Sequence, residues 1–140
     1  MVVVYVLAFL YVGDSVLLVR RHNVDFGSGL YSLVGGLVEP NERALHAIRR
    51  EVLEETTLDI PEEKFTLMHT VHRNGTEHNL ILLIFSADID GMPQPVINEP
   101  DKHDDMRLFN LDALPDAMIP AHHQAIGHIR KNNRYSEHGW

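Results

Sequence analysis

The chain has 140 residues and no cysteine, a single tryptophan and few basic residues. Without cysteine there is no disulfide scaffold, no thiolate metal site and no cysteine nucleophile. No apolar run approaches the roughly 20 residues that span a bilayer. Only 12 Lys+Arg stand against 20 Asp+Glu, a formal charge of −8. That deficit disfavours a binder of nucleic-acid backbones, which needs Lys and Arg to displace counterions. A small anionic substrate is still compatible, provided a cation lies between the like charges. At 44% hydrophobic content the chain has enough apolar residues for a real core, which excludes disorder.

The start, MVVVYVLAFLYV, lacks the basic head and small-residue cleavage site of a secretory signal. Its Val, Tyr and Phe content reads as a buried strand, and a cytoplasmic location is expected. Residues 2–12 and 15–20 flank Gly13-Asp14 as a hairpin. A loop with Asn23, Gly27 and Gly29 leads to a short strand over Tyr31–Val34, which Gly35-Gly36 is expected to break. Residues 42–56 read as a helix, with Ala44, Leu45, Ile48 and Val52 at helical spacing. Two further strands, Phe65–Val71 and Asn79–Ile89, flank the Asn74-Gly75 turn, and a short one spans Arg107–Leu111. Pro120 suits the first turn of a last helix carrying Ile126 and Ile129. The expectation is one mixed α/β domain over residues 1–140.

The segment RREVLEE, residues 49–55, carries the chemistry. At about 100° per residue, Glu54 and Glu55 fall about 60° and 40° to either side of Glu51. Three carboxylates thus share one side of the helix, and like charges at these spacings repel by ~0.2–0.5 kcal/mol per pair. A hard divalent cation removes the conflict, because Mg2+ and Ca2+ prefer carboxylate oxygens. Ala44 and Ala47 precede the acids on their side, where small side chains would leave room for a ligand. A solvated acidic surface is the plain alternative. Adjacent His122 and His123, with His46 or His103, are a weak transition-metal candidate, since neighbouring helix positions diverge.

From Gly36 the chain reads five residues, Glu42, seven residues, then Arg50-Glu51-Val52-Leu53-Glu54-Glu55-Thr56-Thr57-Leu58. This resembles the Nudix box, Gly-x5-Glu-x7-Arg-Glu-U-x-Glu-Glu-x-Gly-U, at every fixed position except the last glycine, which is Thr57. The segment RRHNVDFGSGLYSLVGG before it, with Val34 where many members have proline, looks like the strand–loop–strand of bacterial members. Glu99-Pro100-Asp101-Lys102, Arg107-Leu108-Phe109 and Leu111–Pro115 resemble the later "EPxK … RWF … LDxLP" pattern, and the tail Tyr135–Trp140 is similar to one bacterial subgroup. The chain is identified by this resemblance as a MutT-like member of the Nudix hydrolase family.

The resemblance implies a mixed sheet sandwiched between helices and a Mg2+- or Mn2+-dependent pyrophosphohydrolase acting on a nucleoside diphosphate linked to a further group. The favoured substrate is a (deoxy)nucleoside triphosphate, including oxidised ones. It implies Glu51, Glu54, Glu55 and the Gly35 carbonyl as metal ligands and Glu42 as a brace for the loop. Arg50 would orient a ligand carboxylate, and Glu54 or Glu55 would be the base, with Glu99 as alternative base or extra ligand. Arg21 is the expected phosphate ligand. His122 stands where some guanine-reading members have Asn, and an imidazole cannot copy an amide's paired hydrogen bonds. Phe9, Tyr31 and Phe85 are read as core. Thr57 would be a poor left-handed residue, so the helix is expected to end by another route. Small nucleotides are the expected partners, with neither nucleic-acid polymer nor membrane, and a homodimer is left open. The rival readings are a catalytically silent nucleotide-binding module and an inert acidic domain.

Overall fold

The computed structural model describes residues 1–140. Its elements run β1 (Val2–Val12), β2 (Ser15–Arg21), β3 (Tyr31–Ser32), β4 (Val34–Leu37), α1 (Ala44–Thr56), β5 (Thr66–Asn74), β6 (Asn79–Asp88), β7 (His103–Asn110), α2 (Pro120–Arg130) and β8 (Tyr135–His138), with a single 3-10 turn at Glu62–Lys64. The eight strands form one mixed sheet with the path β3-β2-β1-β6-β5-β8; β4 pairs with β1, and β7 pairs with β2. β1 and β6 run parallel from Val2↔Asn79 to Tyr11↔Asp88. That pairing makes β1 and β6 the spine of the sheet.

The unbroken apolar run of β1 follows from burial on both faces, where strands need not alternate with polar residues. Val6, Ala8 and Leu10 point to one face, packed with Ala47, Ile48 and Val52 of α1. Leu7 and Phe9 point to the other, packed with Ala125, Ile126 and Ile129 of α2. Each buried Val, Leu, Ile or Phe side chain among these contributes about 1.5–3 kcal/mol over leaving it exposed. The two helices therefore sandwich the sheet, as expected. Phe9, Tyr31 and Phe85 are all core residues.

Four expectations are corrected. Gly35-Gly36 does not break a strand; both lie inside β4, antiparallel to β1 with Leu7↔Gly35 and Val6↔Gly36. They are glycines because other atoms come too close, not because the chain turns. The helix starts at Ala44, so Glu42 and Arg43 belong to the preceding loop. Ala47 is fully buried and Ala44 packs against the same core, so neither leaves space for a ligand. β7 begins at His103, four residues before Arg107, because it pairs along β2 from Arg21↔His103 to Ser15↔Asn110. The tail adds a strand too: β8 pairs in parallel with β5, Thr70↔Tyr135 to Arg73↔His138. No helix is long and apolar enough to cross a membrane.

Candidate active site

Strand β4 lies under α1, and the two glycines set how closely. A Cβ on Gly36 would sit 2.4 Å from Glu51 Oε1, so the bare backbone is what lets that carboxylate settle onto the strand. The Gly35 N–H donates to Glu55 Oε2 at 2.9 Å. α1 then stops at Thr57, whose φ of 68° and ψ of 0° are left-handed and whose N–H donates to Leu53 O. This corrects the expectation of another ending: the threonine adopts the conformation that the box glycine would.

The three helix acids are not equivalent. Glu55 is buried and Glu51 nearly so, whereas the Glu54 side chain is 48% exposed. Burial pushes the Glu55 carboxyl well above the ordinary range; Glu51 and Glu99 add to this, and only the Gly35 amide and Arg21 oppose it. Burial also raises Glu51, against the pull of Arg50.

Arg50 organises the group. Its Nε and Nη2 donate to the two oxygens of Glu42 at 2.8 and 2.9 Å. Its Nη1 donates to Glu51 Oε1 at 2.9 Å and Glu54 Oε2 at 3.3 Å, and Nη2 also reaches Leu37 O. Held by Arg50, and by the Glu39 amide and His46, Glu42 is pulled down to about 2. It braces the loop between β4 and α1, since the Glu39 N–H donates to Glu42 Oε1 at 3.0 Å.

Glu99 arrives from a distant loop. The Asn98 side chain donates to Glu54 O at 2.9 Å and its N–H to Glu55 O, while the Val96 N–H donates to Thr56 O. These bonds satisfy carbonyls that a helix end leaves free, and they deliver Glu99 to the carboxylates. Single ligand atoms of Glu55, Glu99 and His103 all lie within 4.8 Å of one another. Lys102 Nζ stands 3.4 Å from Glu99 Oε2. The histidine set of His122 and His123 with His46 or His103 does not gather; His103 joins glutamates instead.

These groups line a cleft of about 880 Å³ that also receives Arg21 and His122. The two arginines ending β2 part ways. Arg20 pairs outward with Asp104 at 2.7 Å. Arg21 donates from Nε to Phe26 O at 2.8 Å and lies close enough to act on Glu55, His103 and His122. His122 is buried, and burial, with Arg73 and Arg21 nearby, pushes it down to about 3. The Leu33 N–H donates to its Nδ1 at 3.1 Å, which leaves the ring proton on Nε2 as a donor.

The donor set fits a divalent cation. Glu51 and Glu99 both act against the charge of buried Glu55, and hard cations take carboxylate oxygens.

Comparison with known proteins agrees with this geometry. The NUDIX domain model matches residues 1–129. The chain belongs to the Nudix family. It is a MutT-like member of that family. It is similar to the crystal structure of a MutT NUDIX hydrolase from Burkholderia pseudomallei, with a TM-score of 0.82 at 25% identity over 91% of this chain and 97% of that one. It is also similar to a bifunctional NMN adenylyltransferase/ADP ribose pyrophosphatase from Francisella tularensis, solved with AMP and a Mn ion (TM-score 0.77, 25% identity, 95% of this chain and 42% of that one). Among curated proteins, the NAD-capped RNA hydrolase NudC of Pseudomonas syringae pv. tomato is 32% identical over 108 residues, covering 74% of this chain and 34% of the relative. The Nudix chain thus spans about a third of the length of the curated relatives it matches. Divalent metals serve this family, and the Nudix chain carries a carboxylate cluster suited to one.

Proposed function

We propose that the chain cleaves the phosphoric anhydride of a (deoxy)nucleoside triphosphate, oxidised forms included, releasing the monophosphate and pyrophosphate. The observation that carries this reading is the crowding of buried Glu55, nearly buried Glu51 and partly exposed Glu99 on the wall of a cleft that also holds Arg21 and His122. Glu51, Glu54, Glu55, Glu99 and the Gly35 carbonyl would hold Mg2+ or Mn2+. Such an ion, when bound, supplies positive charge to the phosphate oxygens and to the attacking water.

The chain's own residues divide the remaining work. Water attacks one phosphorus, the bond to the leaving phosphate oxygen breaks, and a carboxylate takes the water's proton. Glu55 suits that role because burial raises its proton affinity; Glu54 suits it by access, being half exposed with one 3.3 Å bond from Arg50. Arg21 offers its guanidinium to a phosphate, a fork that fits phosphate oxygens. His122 offers Nε2–H to the base or ribose, a single donor and not a paired amide pattern. Arg50 keeps Glu51 in place and the loop closed. The complete acid set argues against the silent-module reading.

The acidic surface does not by itself limit the substrate to small molecules, since NudC is named for a capped RNA. The test is a panel of ordinary and oxidised nucleoside triphosphates, ADP-ribose, NAD and a NAD-capped RNA, with Mg2+ or Mn2+. The expected result is fastest release of pyrophosphate from a nucleoside triphosphate. Preference for NAD or capped RNA would move the assignment to the dinucleotide class. Ion binding without turnover of any member would support the silent module.

A further inference from the structure

His103 is a histidine with no hydrogen-bond partner for its ring. Its side chain is only 6% exposed. Its Nδ1 is buried with no hydrogen-bond partner, and its Nε2 stands 3.7 Å from Glu55 Oε1, outside hydrogen-bond range. Buried imidazole nitrogens are almost always partnered. An apolar side chain would fill the same volume without an orphaned Nδ1. The backbone that carries the imidazole is held in place: the His103 N–H donates to Glu99 O at 3.0 Å, and β7 pairs His103 with Arg21.

We propose that His103 gives a nitrogen ligand to the divalent ion held by Glu55 and Glu99, and so biases the site toward a first-row transition metal over Mg2+. The inference rests on reading the carboxylate cluster as a divalent-ion site. One ligand atom from each of the three residues already lies within 4.8 Å of the others. Ligands at roughly 2.1 Å from one ion stand at most roughly 4.2 Å apart, so small side-chain rotations complete the set. Lys102 reaches one oxygen of Glu99, at 3.4 Å, and leaves the other available. Imidazole affinity rises from Mn2+ through Co2+ to Ni2+, whereas Mg2+ keeps to oxygen.

Pulsed EPR on the Mn2+-loaded wild-type protein tests this without any variant, because a directly bound imidazole nitrogen couples to the electron spin. Coupling is expected in the wild type, lost in His103→Asn and kept in His122→Asn. By calorimetry, His103→Asn should weaken Co2+ and Mn2+ roughly tenfold or more and Mg2+ by less than roughly threefold. A Mn2+-loaded wild type without nitrogen coupling overturns the role of His103 alone, as does equal weakening of Co2+ and Mg2+. A wild type that binds neither Mn2+ nor Mg2+ overturns the ion-site reading beneath it. Should His103→Asn fail to fold, the wild-type and His122→Asn spectra still decide the matter.

Discussion

The backbone amide of Gly35 donates to Glu55 Oε2 at 2.9 Å, so the strand beneath α1 grips the most buried carboxylate of the site. This single bond does not offset the cost of burying a charge beside Glu51 and Glu99. These like charges conflict unless a cation or a proton lies among them.

Glu55→Gln should relieve that conflict. The raised folded pKa means that the native state holds its proton more tightly than the unfolded chain does, so stability falls as pH rises above the ordinary carboxylate range. Without metal, the variant is expected to melt at or above the wild-type temperature at pH 7–8, because the amide can still accept from Gly35. It should also lose the melting-temperature gain that Mg2+ or Mn2+ gives the wild type. Its kcat should fall at least ~10²-fold, as should that of Glu54→Gln, the scale for losing a proton acceptor. Thermal melts with and without EDTA, followed by steady-state kinetics, check these outcomes.

The paired glycines should separate folding from function. A Cβ on Gly35 would lie 2.1 Å from Val6 O and 2.9 Å from Leu7 Cα, both backbone atoms that cannot step aside. Gly35→Ala is expected to fold poorly. The nearest atoms to a Cβ on Gly36 are those at the end of the Glu51 side chain, from 2.4 Å. Gly36→Ala should fold with a near-normal melt yet bind divalent ions weakly, because Glu51 is displaced. Normal ion affinity in a folded Gly36→Ala protein would detach Glu51 from the site.

Glu42 gives the opposite pH dependence. Its hydrogen bonds to Arg50 hold it down at about 2, from an ordinary value of 4.5. A depressed folded pKa contributes stability above pH 4.5 that is lost as pH falls toward 2. Glu42→Gln should therefore melt below the wild type at pH 7, with the gap closing on acidification below about pH 4.5. Parallel melting curves across that range would contradict the brace.

Thr57 is left-handed and exposed, and no hydrogen bond of its hydroxyl anchors it. Thr57→Gly is expected to be neutral or to stabilise by about 1 kcal/mol, since glycine carries no steric penalty there. A clear drop in melting temperature would show that the threonine side chain makes contacts of its own.

What could be read beforehand was what lies close together in the chain. The box from Gly36 to Leu58 folds as one strand–loop–helix; its resemblance to the Nudix box implied Glu42 as a loop brace and Arg50 as the partner of a ligand carboxylate, and Arg50 bonds Glu42 and Glu51. The apolar run of β1 likewise announces a strand buried on both faces. Distant pairings were not legible. β8 exists because Tyr135–His138 finds the edge of β5, and the Trp140 indole donates to His72 O beside it. Asn98 and His103 matter only because their loop docks on the end of α1. A helical projection placed Ala47 beside the acids, but it could not reveal that the sheet lies directly beneath that face.

The most direct test is a calorimetric titration of Mg2+ and Mn2+ into the metal-free wild type and into Glu51→Gln and Glu55→Gln. The account predicts saturable binding to the wild type and affinity reduced at least ~10-fold in each variant, because each loses a carboxylate oxygen that a hard cation requires. Equal affinity in all three proteins, or no binding to the wild type, would contradict it.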